Sequence, residues 1–377
     1  MTKNVCIFQP RLLHYRTTLF EQLREACASD GINLRLICGQ AVGRERSKDD
    51  EAKLPWVEKV RNRYAEVAGR TILWQPTPFD WRECDLAIVM QESRILSNYP
   101  LQALRHIRGT KVAYWGHGKN FFNKSPGGIT DWWKDWLIRR VDWWFAYTQI
   151  VVDIVTESGF PEERITCLNN AIDNSGFLRD LDSVSDQDID SARERLNLPA
   201  GGPVGIFCGS MYPEKKLDFL IEAADLIHQR SPEFRLLVLG AGPSSSIVEN
   251  AASSRPWIHL AGQRRGVEKA LYFRLADFML NPGTVGLHIV DAFCAGVIMV
   301  TTAGAHHSPE IAYLRQGENG VMVEATPDAY ANEVLSLIAD PQQAESMKQA
   351  ARTDSETYTL PNMVENFRVG IRRALEA

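Results

Sequence analysis

The chain has 377 residues, 45% of them hydrophobic and 24% charged, with a formal net charge of −5. That length calls for two domains rather than one small core, and the ordinary composition excludes a disordered or fibrous class. No apolar run reaches the roughly 18 residues that a membrane-spanning helix needs. Residues 1–170 carry 24 Lys and Arg against 20 Asp and Glu, and the remainder 18 against 27. A mildly basic first half suits an anionic substrate or a peripheral contact with an anionic membrane surface; uneven surface charge without a role explains it equally. No basic stripe marks a nucleic-acid partner. The seven cysteines (6, 27, 38, 84, 167, 208 and 294) include no C-x-x-C pair, which argues for a reducing compartment and against disulfides or a cysteine zinc site. Met1 leads straight into a strand-like run with no signal-peptide core, so a cytoplasmic location is expected.

In chain order, Val5–Phe8 reads as a strand, Arg11–Ala28 as a helix and Ile32–Cys38 as a strand. Residues 40–55 are polar and charged, a loop. Leu86–Met90 and Lys111–Trp115 read as buried strands flanking a helix at Tyr99–Ile107. The second strand ends in Gly116-His117-Gly118, a turn at a carboxyl end, where ligands sit in open α/β sheets. The segment Trp132–Trp144 is rich in Trp beside Arg139 and Arg140; core packing is favoured over a membrane-interface patch. Asp142–Tyr147, Gln149–Ser158 and Ile165–Leu168 follow as strand, helix and strand.

Residues 171–203 are polar and turn-rich and read as a linker between a first domain (1–170) and a second (204–359). The second series begins with strand Val204–Cys208, helix Lys216–Arg230 and strand Phe234–Leu239. After Gly240-Ala-Gly-Pro243 come a helix to about Ser253, strand Trp257–Leu260, helix Gly266–Leu275 and strand Phe278–Leu280. Helices at Ala329–Ala339, Pro341–Thr353 and Pro361–Leu375 finish the chain. Two strand–helix series predict two Rossmann-like doubly wound α/β domains with parallel sheets, facing across a ligand cleft.

Candidate chemistry gathers at the loops. In Asn281–Gly320 a turn opens onto a helix start at Thr284–Gly286, with Asp291 about two turns further in, Gly296 as a stop, and Pro309–Glu310 starting another helix. Amides at a helix start attract phosphate, and carboxylates such as Asp291 and Glu310 accept from sugar hydroxyls or serve as ordinary surface groups. After Val204–Cys208, Lys215 and Lys216 at a helix start can pair with a diphosphate, or are simply solvated; the spacing is not a Walker loop. Gly240-Ala-Gly242 is a weak G-x-G signal that a tight turn explains as well. His117 can donate to a sugar hydroxyl or to a developing phosphate charge, or be structural. His306-His307 lacks a third ligand at metal spacing, and Asp188-Ile-Asp190 sits in the polar linker, so no metal site is expected.

Taken together, these segments resemble the family 4 glycosyltransferases, retaining enzymes of the GT-B fold. Gly209-Ser-Met-Tyr-Pro-Glu-Lys-Lys-Leu-Asp218 resembles the family's G-R-L-x-P-E-K-G-x-D segment, whose Arg and Lys clamp the donor diphosphate. Lys215 matches that Lys; Ser210 stands where Arg is usual and Lys216 where Gly is usual. Gly283-Thr-Val-Gly-Leu-His-Ile-Val-Asp291 resembles E-G-F-G-L-x-x-L-E. The resemblance implies ribose binding by Asp291 and donor contacts at Thr284, Val285, Gly286 and Leu287. Gly283 replaces the Glu that usually touches the transferred sugar. Ser308-Pro-Glu310-Ile with Gly317-Glu-Asn-Gly320, Tyr15-Arg16-Thr-Thr-Leu-Phe-Glu-Gln-Leu23 and Trp115-Gly-His117-Gly118 are similar to a bacterial subset that carries P-G-x-V-G-L and H-S-P-E-I. Asn169-Asn170-Ala-Ile-Asp173 is similar to the P-N-G-I-D that ends the first domain.

The resemblance implies a metal-independent transferase without a cofactor, taking a nucleotide-diphosphate sugar as co-substrate. The acceptor would be a glycan or lipid-linked acceptor, in bacterial surface polysaccharide synthesis. His117 and Glu310 would contact the sugar, and the last helix, 360–377, would pack back on the first domain. A nucleotide-sugar epimerase on the same fold and a non-catalytic sugar-nucleotide-binding partner are the alternatives.

Overall fold

The computed structural model describes residues 2–42, 51–67, 69–78, 80, 83–118 and 137–377. They form two compact units, Met1–Asp173 with Leu360–Ala377, and Asn174–Thr359. Unit 1 runs β1 (Lys3–Gln9), α1 (Thr17–Ser29), β2 (Ile32–Cys38), β3 (Glu58–Lys59), β4 (Arg63–Val67), β5 (Arg70–Trp74), β6 (Leu86–Met90), α2 (Asn98–Arg108), β7 (Lys111–Gly116), β8 (Trp143–Ala146), α3 (Gln149–Glu157) and β9 (Ile165–Cys167). Seven parallel strands pair in the order β3-β2-β1-β6-β7-β8-β9, and β4–β5 is a separate antiparallel hairpin.

Unit 2 runs α4 (Ser175–Ser183), α5 (Asp186–Arg195), β10 (Val204–Cys208), α6 (Leu217–Arg230), β11 (Arg235–Leu239), α7 (Ser245–Ala252), β12 (Ile258–Gly262), α8 (Gly266–Leu275), β13 (Phe278–Leu280), α9 (His288–Ala295), β14 (Ile298–Thr302), β15 (Gly320–Val323), α10 (Pro327–Ala339) and α11 (Pro341–Ser355). Its six parallel strands pair in the order β12-β11-β10-β13-β14-β15. Sheet strands such as β6, β10 and β14 are near-continuous apolar runs because helices cover both faces of a parallel sheet.

The final helix, α12 (Leu360–Glu376), belongs to unit 1. Phe367 stacks on Phe145 at 4.6 Å and meets the Trp115 ring edge-on at 5.1 Å. A Cβ on Gly370 would stand 2.5 Å from Thr166 Oγ1 and 2.7 Å from the Phe145 ring, so the glycine lets the helix lie against the sheet. Arg368 adds an ion pair to Asp30 at 2.8 Å.

Several elements depart from the sequence-based expectation. The first helix begins at Thr17 rather than Arg11, because Leu12 O accepts from the Ala52 N–H at 2.9 Å and Leu13 bridges Glu51. The β4–β5 hairpin and β15 were not anticipated; β15 is four residues long, too short for a periodic signal. Residues 171–203 are not a bare linker. They hold α4 and α5, whose Phe177, Leu181 and Ala192, with Leu198 beyond, bury into the unit 2 core. A capping box explains the start of α5: Ser185 Oγ accepts from the Asp188 N–H, and the Asp188 carboxylate accepts from the Ser185 N–H. The hydrogen bonds from Ser185 hold the Asp188 carboxyl below its usual range. Of the Trp-rich segment, Trp132, Trp133 and Trp136 lie outside the described residues, as do residues 43–50 of the charged loop. Trp143 and Trp144 are buried core, their indole N–H groups donating to Thr166 Oγ1 and Ile138 O at 2.9 Å.

Candidate functional site

In unit 2 the strand order reverses at β10, which lies between β11 and β13. In open α/β sheets the carboxyl ends of the strands at such a switch point are where ligands bind. Gly209–Lys216 leaves β10 and Asn281–Leu287 leaves β13, so topology brings together the two segments singled out in the sequence.

The two loops are in tight backbone contact. Thr284 N–H donates to Glu214 O at 3.0 Å, and Lys215 Nζ donates to Thr284 O at 2.6 Å. Asn281 Nδ2 donates to Gly283 O and Thr284 O at 3.2 and 3.1 Å. A Cβ on Gly283 would stand 2.2 Å from Glu214 O and 2.5 Å from both Cα and the carbonyl carbon of Lys215. Glycine at 283 is thus the condition for the loops to meet. Lys216 has φ of +52°, the left-handed region that favours glycine, and caps α6. Ser210 is exposed on the same loop. The Gly240–Gly242 turn packs behind it: a Cβ on Gly240 would fall 1.9 Å from Gly209 O, which accounts for that G-x-G as close approach.

A third loop, 306–310, is laced onto the β13 loop. Thr284 Oγ1 donates to His306 O at 3.0 Å and Ser308 N–H to Val285 O at 2.8 Å. Val285 N–H donates to His307 Nδ1 at 3.1 Å, while His307 Nε2 lies 2.9 Å from Thr302 O. Since Nδ1 accepts, Nε2 carries the proton, and the imidazole is a neutral strut; burial lowers its pKa. The expected donor contact through the Val285 amide is therefore corrected, and the Thr284 amide is likewise committed. Among the described residues, the N–H groups of Gly286, Leu287 and His288 have no protein partner, the ordinary state of a helix's first turn. Glu310 is buried on the 3-10 turn Pro309–Tyr313.

Asp291 is buried and forms an ion pair with Lys269 Nζ at 2.9 Å. The ammonium of Lys269 also lies 4.4 Å from the Phe177 ring centre. Lys269 on α8 and His288 at the start of α9 are titratable neighbours that sequence reasoning missed. Lys269 sits mid-helix with no distinctive spacing, and only tertiary packing carries it to Asp291. His288 Nε2 is enclosed without a partner among the described residues, and burial, then the charges of Lys215 and Lys269, push its pKa well down. Burial lowers Lys215 to about 8, so at neutral pH it is mostly charged yet readily perturbed.

Unit 1 gathers its own cluster. Gly116 closes on Gln91, where a Cβ would be 2.6 Å from the Gln91 Cβ, and Gly118 has φ of +68°. Between them His117 stacks on Tyr147, ring centres 4.4 Å apart at 28°. The His117 side chain is nonetheless exposed; partial desolvation, then the Arg16 charge, lowers its pKa. Among the described residues no group of three or more His, Cys, Asp or Glu is placed to hold a metal ion, and no helix is long and apolar enough to cross a membrane.

Residues 202–340 match the family model for glycosyl transferases group 1. The chain is 20% identical over 182 residues to the alpha-monoglucosyldiacylglycerol synthase of Acholeplasma laidlawii, covering 47% of this chain and 45% of that one. It is 23% identical over 282 residues to the putative glycosyltransferase EpsD of Bacillus subtilis, covering 71% and 70%. Over most of the curated relatives it matches, the chain spans about half of their length. Among solved structures, HepE of Anabaena in complex with UDP superposes with a TM-score of 0.68 at 15% identity, covering 98% of this chain and 99% of that one. The fold is accordingly GT-B, with two α/β units built on parallel sheets. The stretch that matches glycosyl transferases group 1 lies within the second unit.

Proposed function

We propose that the chain is a retaining glycosyltransferase that moves a sugar from a nucleotide-diphosphate sugar to a glycan or lipid-linked acceptor, in bacterial surface polysaccharide synthesis. The observation that carries this reading is the meeting of the loops that leave β10 and β13. There a half-buried lysine, Lys215, and a helix start with three unengaged amides (Gly286, Leu287, His288) lie on loops locked to each other.

Lys215 and these amides are preorganised donors for a diphosphate whose negative charge grows as the glycosidic bond to it breaks. They supply fixed positive charge, so the proposed reaction needs no metal ion. Asp291, oriented by Lys269, accepts from ribose hydroxyls. His117 and Glu310 are the proposed contacts to the transferred sugar, and Ser210 and Lys216 flank the diphosphate. The cytoplasmic face of the membrane is the proposed place of action, with contact to the membrane peripheral.

A thermal-shift panel of nucleotide-diphosphate sugars tests the donor class. A true donor at a hundred times its dissociation constant adds about 2.7 kcal/mol, roughly 5–10 °C. With the donor in hand, Lys215→Ala is expected to lower turnover by about 100- to 1,000-fold, and EDTA to leave wild-type turnover unchanged. Full turnover in Lys215→Ala would refute the clamp, and an epimerised donor formed without acceptor would replace transfer by epimerisation.

A further inference from the structure

Lys215 and His307 grip one peptide unit from opposite edges. The carbonyl of Thr284 and the N–H of Val285 belong to the same planar amide and point in opposite directions. Lys215 Nζ donates to Thr284 O at 2.6 Å, and the Val285 N–H donates to His307 Nδ1 at 3.1 Å. On its far side His307 Nε2 lies 2.9 Å from Thr302 O at the end of β14. The order is forced. An N–H only donates and a carbonyl only accepts, so Nδ1 carries the lone pair and Nε2 the proton. One hydrogen-bonded chain thus runs from the Lys215 ammonium through the 284–285 amide and the imidazole to the sheet, and bonds in such a chain polarise one another.

The chain is enclosed at its sheet end: Val285 and Thr302 are 0% exposed, and His307 is buried. The next amide is held as well. Val285 O accepts from the Ser308 N–H at 2.8 Å, which fixes the direction of the Gly286 N–H on the opposite edge of that amide. The cations acting on His307 are Lys216 and Lys215 of the β10 loop and His306 beside it, and His288 at the start of α9 feels His307 in turn. The carboxylates of the same elements are Glu214, whose carbonyl accepts from the Thr284 N–H, Glu310 on the 3-10 turn, and Asp291, paired with Lys269. Burial is the largest influence and, with the cations, disfavours the imidazolium, against the opposing pull of the Thr302 carbonyl.

We propose that His307 is a positioning residue for the diphosphate clamp: by accepting from the Val285 N–H and anchoring to Thr302 it holds the 284–285 amide, and through that amide the Lys215 ammonium, in the geometry that receives a diphosphate. The role rests on the reading of Lys215 as a diphosphate contact. An imidazolium cannot serve. A protonated Nδ1 would point an N–H at the Val285 N–H and leave that buried donor without an acceptor.

The test uses the full chain, with inorganic pyrophosphate as probe. Hydrogen exchange of the Val285 amide is followed by NMR in protein labelled with 15N at valine, the signal assigned by its loss in Val285→Ile. Protection, corrected for intrinsic exchange, should be full at about pH 7.5 and fall as the pH drops through the His307 midpoint, which lies below 6.5. The fold favours the neutral ring, so the contact is lost on the acid side. In His307→Gln, whose amide donates and accepts without titrating, no such step should appear. At about pH 7.5 calorimetry should find pyrophosphate bound about tenfold more weakly by His307→Leu than by wild type, and His307→Gln should recover most of that loss. In a Lys215→Met background the His307→Leu change should cost less than about threefold, because the two side chains act on one amide. Unchanged affinity in folded His307→Leu, an equal cost in both backgrounds, or wild-type Val285 protection that stays flat down to about pH 4.5 overturns the proposal. The last measurement needs no variant, so it decides the matter should His307→Leu not fold. A wild type that shows the protection step and binds no pyrophosphate refutes the diphosphate reading, and the positioning role falls with it. A wild type that binds pyrophosphate without the step refutes the role of His307 alone.

Discussion

Gly283→Ala is the most informative single substitution in unit 2. The added carbon would meet Glu214 O at 2.2 Å and the Lys215 backbone at 2.5 Å. Those atoms belong to the main chain, so no side-chain rotation relieves the clash. Ordinary carbon contacts lie at about 3.5–4.0 Å, so the loops must separate by roughly 1 Å. Overpacking of this kind costs about 1–3 kcal/mol, and at the middle of that range a unit of this size loses roughly 4–8 °C in Tm. The separation also stretches the Thr284 N–H to Glu214 O bond and the Lys215 Nζ to Thr284 O bond, now 3.0 and 2.6 Å. Misplacing a clamp by about 1 Å is worth up to roughly 100-fold in rate. The assay is thermal unfolding followed by donor titration calorimetry and turnover. Gly283→Glu, which restores the acid usual in the resembling family, should damage at least as much as alanine. An alanine variant within about 1 °C of wild type and with unchanged donor affinity would show that the loops are not locked as described. A more active glutamate variant would show that the position is open.

Two further outcomes follow from the charges around these loops. Lys215 has its pKa lowered from 10.5 to about 8 by burial; a bound diphosphate favours the protonated form. Donor affinity should therefore be flat below about pH 7.5 and weaken above pH 8 by up to about tenfold per pH unit until the bound-state pKa is reached. Calorimetry across pH 6–10 checks this, and Lys215→Arg should flatten the curve; a wild-type affinity constant to pH 9.5 contradicts it. Lys269→Met leaves the Asp291 carboxylate, whose side chain is 12% exposed, without its ion-pair partner, and is expected to destabilise unit 2 by about 3 kcal/mol. Adding Asp291→Asn should recover part of the lost Tm, and a double variant less stable than Lys269→Met alone would contradict the burial argument.

The sequence by itself determined the class of fold. Apolar runs such as Leu86–Met90, Val204–Cys208 and Ile298–Thr302, alternating with helical periods, fit parallel strands covered on both faces. It also marked the loops of the proposed site, because glycine, lysine and helix-start patterns are local features. The polar stretch 171–203 reads as a linker in the sequence because α4 and α5 bury few residues each, a stripe too sparse to stand out. What the local pattern could not hold is which groups are already engaged. That the Val285 amide is taken by His307, that Gly283 is an approach distance rather than a missing acid, and that Lys269 meets Asp291 all depend on contacts between segments 22 to 69 residues apart. The same is true of Arg16, whose guanidinium donates to the Tyr147 hydroxyl 131 residues away. Such contacts arise only when strand order places distant loops at one end of a sheet, and pairing across that distance leaves no period in the chain.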